Sequence, residues 1–349
     1  MSTGLQEQSL GKQMEREIFE TPFVFERLIQ NQNQFENCVK QIKSKTINSI
    51  QILARGTSDN AAIFLKYLLE THLGIPVGLA APSIVTVYKT KLNFENTLVI
   101  AVSQSGQSHD LLEYAQAVAN SKALLLGITN DANSPLAKIC HSHLDVSAGP
   151  EIAVAATKSY SAQLLTAYLL VKKLTSEKVF DEAVFQKELQ ANLAQDISTT
   201  VSTLKNSDQV MVLGRGFSYG NSLETGLKIQ ETCQRNVRGY SLADYMHGPI
   251  SALEKSATVI ICISNGFKIE TIKSELDKLR QVSPRIIWVG NTDLAMASDL
   301  QIPGAKTNDE ALNVILDSIL LQRIALELSR SLGLDADQPR GLNKVTITK

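Results

Sequence analysis

The hexapeptide Ser103-Gln104-Ser105-Gly106-Gln107-Ser108 sets three hydroxyls and neighbouring amide side chains around one glycine. Neutral donors at that density, on a backbone that glycine allows to approach closely, suit a dianionic phosphate monoester. The hexapeptide follows an apolar run at 98–102 and precedes a helix predicted from about Ser108, so the positive end of a helix dipole adds to the attraction. The competing reading is a polar turn in which Ser108 or Asp110 caps that helix. Nucleotide motifs do not compete for the role. Gly214-Arg215-Gly216-Phe217-Ser218-Tyr219-Gly220 places its last glycine one position late for a dinucleotide fingerprint, and no Gly-Lys-Ser/Thr phosphate loop occurs. Neither NAD nor ATP is expected.

A second group of reactive side chains, Glu224, Lys228 and Glu231, shares one face of a predicted helix. Spacing alone makes it an exposed ion-pair ladder worth a few tenths of a kcal/mol, on the order of any i,i+4 pair. His247 stands in a His-Gly-Pro loop, where an imidazole titrating near neutrality is suited to shuttling a proton, although a lone loop histidine is commonly structural. Lys344, near the chain end, reads on composition as a solvated lysine. His141 and His143 form a pair without an evident third ligand, so no metal is expected.

These residues need a scaffold, and the chain has the length for two domains: 349 residues, 44% apolar and 20% charged. Its 34 basic residues nearly balance 35 acidic ones, and no basic stripe marks it for nucleic acid. Four scattered cysteines, a polar start and no apolar run of membrane length make a cytoplasmic protein without a membrane partner the expectation.

An internal repeat organises the chain. Leu53-Ala54-Arg55-Gly56-Thr57-Ser58 resembles Leu213-Gly214-Arg215-Gly216-Phe217-Ser218, with Gly216 160 residues after Gly56. Ser264, at the end of a second apolar run, follows Ser103 by 161 residues, and Gly290 follows Gly127 by 163. Duplication of one domain is the economical reading. Each half alternates short apolar runs with amphipathic stretches, the pattern of βαβ units around a parallel sheet. Strands are predicted at 49–54, 98–103 and 123–129, then at 209–213, 258–263 and 285–289. Helices are predicted at 59–72, 110–120 and 157–173, then at 222–232, 269–281 and 310–332. The expected division is a helical arm over 1–35, a first α/β domain over 36–175, a helical connector over 176–195, a second domain over 196–332 and a tail over 333–349.

Six motifs in order now carry a resemblance. They are Arg55-Gly56-Thr57-Ser58, Ser103-Gln104-Ser105-Gly106, the run from Glu151 through Val154 to Lys158, the run from Glu224 through Lys228 to Glu231, His247-Gly248-Pro249, and Asp337-Gln338-Pro339-Arg340-Gly341-Leu342-Asn343-Lys344. Together they resemble the sugar isomerase (SIS) domain family, specifically the tandem pair forming the isomerase half of glucosamine-6-phosphate synthase. The resemblance implies two flavodoxin-like α/β domains, a homodimer, no metal or organic cofactor, and phosphate held at Ser58, Ser103, Gln104, Ser105 and Ser108. Glu151 and Val154 would line the sugar.

The resemblance also implies roles. Glu231 would remove the C2 proton of an amino-sugar phosphate, a task helped when substrate shields the carboxylate from water. Lys228 would orient Glu231 or stabilise enolate charge, His247 would act across the dimer on the ring-opening proton, and Lys344 would approach the sugar carbonyl. The synthase begins with a glutaminase domain whose nucleophilic Cys follows the initiator Met, whereas residue 2 here is Ser. Deamination of glucosamine 6-phosphate to fructose 6-phosphate and ammonia is therefore the expected activity. A galactosamine-6-phosphate deaminase or isomerase and a fructosamine-phosphate deglycase are the enzyme alternatives. A sugar-phosphate sensor is the non-enzymatic one.

Overall fold

The computed structural model describes residues 10–282 and 284–344 of the 349. They divide into two compact units, each built on one sheet. The first-sheet unit comprises residues 21–151, 158–180 and the end of the tail; the second-sheet unit comprises 10–20, 152–157 and 181–342.

In the first-sheet unit the strands are β1 (Ser49–Leu53), β2 (Val77–Leu79), β3 (Thr97–Ser103), β4 (Leu124–Thr129) and β5 (Ser142–Asp145), all parallel, in the order β2-β1-β3-β4-β5. Every residue of β3 is buried, as a central strand covered on both faces requires. In the second-sheet unit β6 (Val210–Gly214), β7 (Arg238–Ser241), β8 (Thr258–Ile263), β9 (Arg285–Gly290) and β10 (Leu300–Pro303) take the order β7-β6-β8-β9-β10. The two orders are the same, and both are the flavodoxin-like one. Two of the repeated sequence features fall at equivalent positions, at the ends of β1 and β6 and of β3 and β8; in the third, Gly127 lies within β4 and Gly290 at the end of β9.

The predicted central strands β1, β3, β4, β6, β8 and β9 are present, whereas β2, β5, β7 and β10 were not predicted. All four are sheet edges of three or four residues, with polar or exposed positions. A short edge strand lacks the continuous apolar run that flags a doubly covered one.

The longer helices are α1 (Lys12–Phe19), α2 (Thr21–Gln30), α3 (Asn33–Lys43), α4 (Thr57–Leu73), α5 (His109–Ala119), α6 (Lys158–Thr175), α7 (Glu182–Ala194), α8 (Ser198–Lys205), α9 (Tyr219–Cys233), α10 (Lys273–Val282) and α11 (Glu310–Ser331). In place of a single arm over 1–35, α1 belongs to the second-sheet unit and α2 to the first. Val24, Phe25 and Leu28 of α2 are fully buried, so its burial follows an apolar stripe rather than chain order. α1 is tied into its unit by Asp335 and Asp337, whose carboxylates accept from the backbone of Gly11, Gln13 and Met14 at 2.8–2.9 Å. The remainder of the expected arm and tail, 1–9 and 345–349, lies outside the described residues. Among the described residues, no helix is long and apolar enough to cross a membrane.

Two glycines set how closely α9 lies on β7. A Cβ on Gly226 would stand 2.6 Å from the Gly239 nitrogen, and one on Gly239 would stand 2.5 Å from Leu223 Cα. Gly239→Ala is therefore expected to lower unfolding stability by about 1–3 kcal/mol, the usual cost of overpacking. Urea denaturation measures it; an unchanged midpoint would show that α9 and β7 can separate without loss.

Candidate active-site residues and family

In a sheet of this order the crevice lies beyond the carboxyl ends of β1 and β3, where the chain departs in opposite directions. In the first-sheet unit that crevice is bordered by Arg55–Ser58 and Ser103–Ser108, so all five sequence-predicted phosphate residues of this unit fall at one place. Ser103 Oγ accepts from the Gly106 amide at 3.1 Å, and Ser105 Oγ accepts from the Gln107 amide at 3.3 Å. Gly106 has φ +61°, and a Cβ there would lie 2.6 Å from Ser134 Cβ, so glycine is required twice over. Ser108 occupies the N-cap of α5 without a side-chain cap bond, so its hydroxyl is not spent on the helix, whereas Asp110 Oδ1 accepts the first-turn Leu111 amide at 2.9 Å; the capping alternative is corrected for Ser108 and stands for Asp110. Asp110 is buried and receives Arg55 Nε at 2.8 Å, joining the two loops. Ser58 Oγ accepts from Gln163 Nε2 at 2.9 Å, which leaves the Ser58 hydroxyl proton to point elsewhere.

The equivalent crevice of the second-sheet unit has another character. Ser264 donates through Oγ to Asp317 at 2.6 Å, and through its amide to Ser218 Oγ at 3.0 Å. Burial pushes the Asp317 carboxyl up to about 6 and, with Asp309 adding to it, the Glu310 carboxyl up to about 7. The hydroxyl cluster of the first crevice is replaced here by two buried carboxyl groups.

The carboxylate–lysine ladder on α9 is not on the surface. Lys228 is 1% exposed and Glu224 3%. Lys228 Nζ lies 3.3 Å from Glu224 Oε1 and also bonds Glu231 Oε2. Burial opposes the Lys228 ammonium, but the two carboxylates prevail and hold it above the ordinary lysine value. The side chain of Glu231 keeps 20% of its surface exposed, so it is the member of the trio that a substrate can reach. His247 is exposed in a turn closed by its amide to the Asp244 carbonyl at 3.1 Å.

The tail lysine is also not solvated as composition implies. Lys344 Nζ bonds Glu151 Oε2 at 3.0 Å. The side chain of Glu151, a residue expected to line the sugar, has no exposed surface; it accepts from the Ser159 amide at 3.1 Å and its hydroxyl at 2.6 Å. Val154 is partly exposed. The ring nitrogens of His141 and His143 are engaged at 3.0 Å by the Leu125 amide and at 2.8 Å by the Thr129 hydroxyl. Burial pushes the thiols of Cys140 and Cys233 up to about 12 and 11, so neither is a ready thiolate nucleophile. Sequence reading missed Asp110, Ser159 and Gln163, whose partners lie 8 to 105 positions away.

Residues 45–173, which include the anion loop, match the family model for the SIS domain. That stretch of the chain is an SIS domain. A glutamine–fructose-6-phosphate aminotransferase (isomerizing) from Methanothermobacter thermautotrophicus is 30% identical over 96% of this chain, which spans 57% of that relative's length. A Silicibacter pomeroyi DSS-3 structure, provisionally called a phosphosugar isomerase, superposes with TM-score 0.86 at 26% identity, covering 93% of this chain and 99% of that one. The carboxy-terminal domain of the Francisella tularensis glucosamine–fructose-6-phosphate aminotransferase shares the fold with TM-score 0.80 at 21% identity, covering 94% and 98%.

Within this SIS-domain protein the buried α9 trio makes a stability prediction. Lys228→Met removes the cation between two carboxylates and is expected to cost about 3–5 kcal/mol, whereas a solvated pair would cost about 0–1. The folded-state ammonium is held above its unfolded value of about 10.4, so its contribution is complete below that pH and fades as pH rises through the higher folded value. Chemical denaturation at pH 7 and 9 should give the same large difference between variant and wild type.

Proposed function

We propose that the chain is an amino-sugar phosphate isomerase that deaminates glucosamine 6-phosphate. The observation carrying this reading is Glu231, a carboxylate that keeps some exposure while a fully buried ammonium fixes its position. A placed carboxylate of this kind is what proton transfer between adjacent sugar carbons needs. The hydroxyl-rich loop at the β1/β3 crevice supports a phosphate monoester as the substrate's anchor. The aminotransferase relative supports a substrate pair that exchanges an amino sugar with fructose 6-phosphate.

The steps balance with water as the one further reactant. Ring opening gives the 2-amino aldehyde. Glu231 takes the C2 proton, the aldehyde oxygen gains a proton, and the resulting enaminol is protonated at C1 to give the C2 imine. Water adds at C2, the C2–N bond breaks, and ammonia leaves with fructose 6-phosphate. Lys228 orients Glu231, Lys344 polarises the C1 oxygen, and Ser58, Ser103, Gln104, Ser105 and Ser108 hold the phosphate. The same reading assigns His247 to ring opening in the neighbouring chain of a homodimer.

Ammonia release from glucosamine 6-phosphate, galactosamine 6-phosphate and a fructosamine 6-phosphate separates this reading from its nearest rivals. Glu231→Gln should lower turnover by about 10²–10⁴-fold. Ser103→Ala and Ser105→Ala should mainly raise KM. Full activity in Glu231→Gln would remove Glu231 from the mechanism. Mixing Glu231→Gln chains with His247→Ala chains should restore part of the activity if the two residues act from different copies, and none if they act from one.

A further inference from the structure

Residues 152–157 form an irregular strap in the second-sheet unit, with no strand partner. Ala153, Ala155 and Thr157 are buried, whereas Ile152 is 57% exposed and Val154 and Ala156 are partly exposed. The alternation gives the strap an inner and an outer face without a ladder to hold it. Its polar backbone must be satisfied some other way.

Side chains from distant parts of the chain do this. Glu17, on α1, has no exposed surface, yet its carboxylate accepts from the amides of Ile152 and Ala153, the latter at 3.3 Å to either oxygen. At the other end, Gln322 on α11, 2% exposed, donates through Nε2 to the Thr157 carbonyl at 3.1 Å. A buried carboxylate is costly unless hydrogen-bonded, and here adjacent backbone amides of the strap supply donors. α1 is itself held, since Asp337 accepts from the Gln13 and Met14 amides at 2.8 Å. The result is a rigid connection from Asp337 through α1 and Glu17 to the strap that bears Val154.

We infer that Glu17 is a positioning residue for substrate: by clamping the amides of Ile152 and Ala153 it holds the outer face of the strap, Val154 included, in the geometry that receives the sugar. The inference rests on the proposed function and on the family resemblance, by which Val154 would line the sugar. It adds that helix α1, remote in sequence from every catalytic candidate, is part of the substrate-binding machinery. Glu17 touches no reacting atom; it acts through the strap backbone. A glutamine at this position keeps one acceptor oxygen and the side-chain volume, whereas leucine keeps neither acceptor.

The test compares wild type, Glu17→Gln, Glu17→Leu and Gln322→Leu. Binding of glucosamine 6-phosphate is measured by calorimetry, ammonia release by steady-state kinetics, and amide protection at 152–153 by hydrogen exchange. Glu17→Leu should weaken binding by about 10-fold, as expected for losing hydrogen bonds to a charged group, with Glu17→Gln between it and wild type. KM should rise while kcat changes less than about threefold, because Glu231 and Lys228 are untouched. Protection at 152–153 should fall in step with affinity, and Gln322→Leu should weaken binding through the other end of the strap. Should Glu17→Leu fail to fold, the Glu17→Gln and Gln322→Leu comparison still decides. A lower melting temperature with unchanged affinity, or lost protection with unchanged affinity, would overturn the inference and leave Glu17 a structural residue. If wild type itself fails to bind glucosamine 6-phosphate, the proposed function falls and this inference with it; if wild type binds and only the Glu17 variants are silent, this inference falls alone.

Discussion

The chemistry of this chain depends on the order of parallel strands in its sheets. Because β1 and β3 are neighbours and their crossovers depart to opposite edges, the loops that follow them diverge and leave a crevice at their carboxyl ends. Arg55–Ser58 and Ser103–Ser108 meet there for that reason alone, fifty residues apart in sequence yet side by side in the sheet. Helix α5 begins at the same place, so the backbone amides of its first turn face the crevice as well. The second sheet repeats the topology but carries the buried carboxyl groups of Asp317 and Glu310 at the equivalent point, in place of a hydroxyl cluster.

A second theme is the use of buried charge to place one useful atom. Lys228 lies between Glu224 and Glu231, Glu151 lies between Ser159 and Lys344, and Glu17 lies against the strap. In each case the buried ion is matched by hydrogen bonds, since a buried charge left without them would cost several kcal/mol, on the order expected for any unpaired ion. What the arrangement gains is position. A carboxylate or ammonium whose partners are themselves fixed has few rotamers, and proton transfer is sensitive to displacements of about 1 Å.

The central strands and the major helices were legible in the sequence because apolar runs and amphipathic spacing report burial directly. The hydroxyl-rich loop was legible because hydroxyl density and glycine placement are local properties, and Gly106 has the positive φ that its place in that loop requires. Edge strands were not legible, since β2, β5, β7 and β10 are short and only partly covered. The ladder Glu224, Lys228, Glu231 was legible as a spacing but not as a buried cluster: helical periodicity says which side chains share a face and is silent on what covers it.

What the sequence by itself determined was therefore local: the α/β class, the repeated order of motifs, the hydroxyl-rich loop and the identity of the reactive side chains. Tertiary structure decided which of them are buried, paired and brought together. It paired Glu151 with Lys344, drew Asp110 onto Arg55, and put Glu17 on amides more than a hundred positions away. The physical reason is that hydrogen bonds and ion pairs between distant segments form only after the chain has packed. Burial then makes those bonds obligatory, and neither condition can be read from a residue's neighbours in the chain.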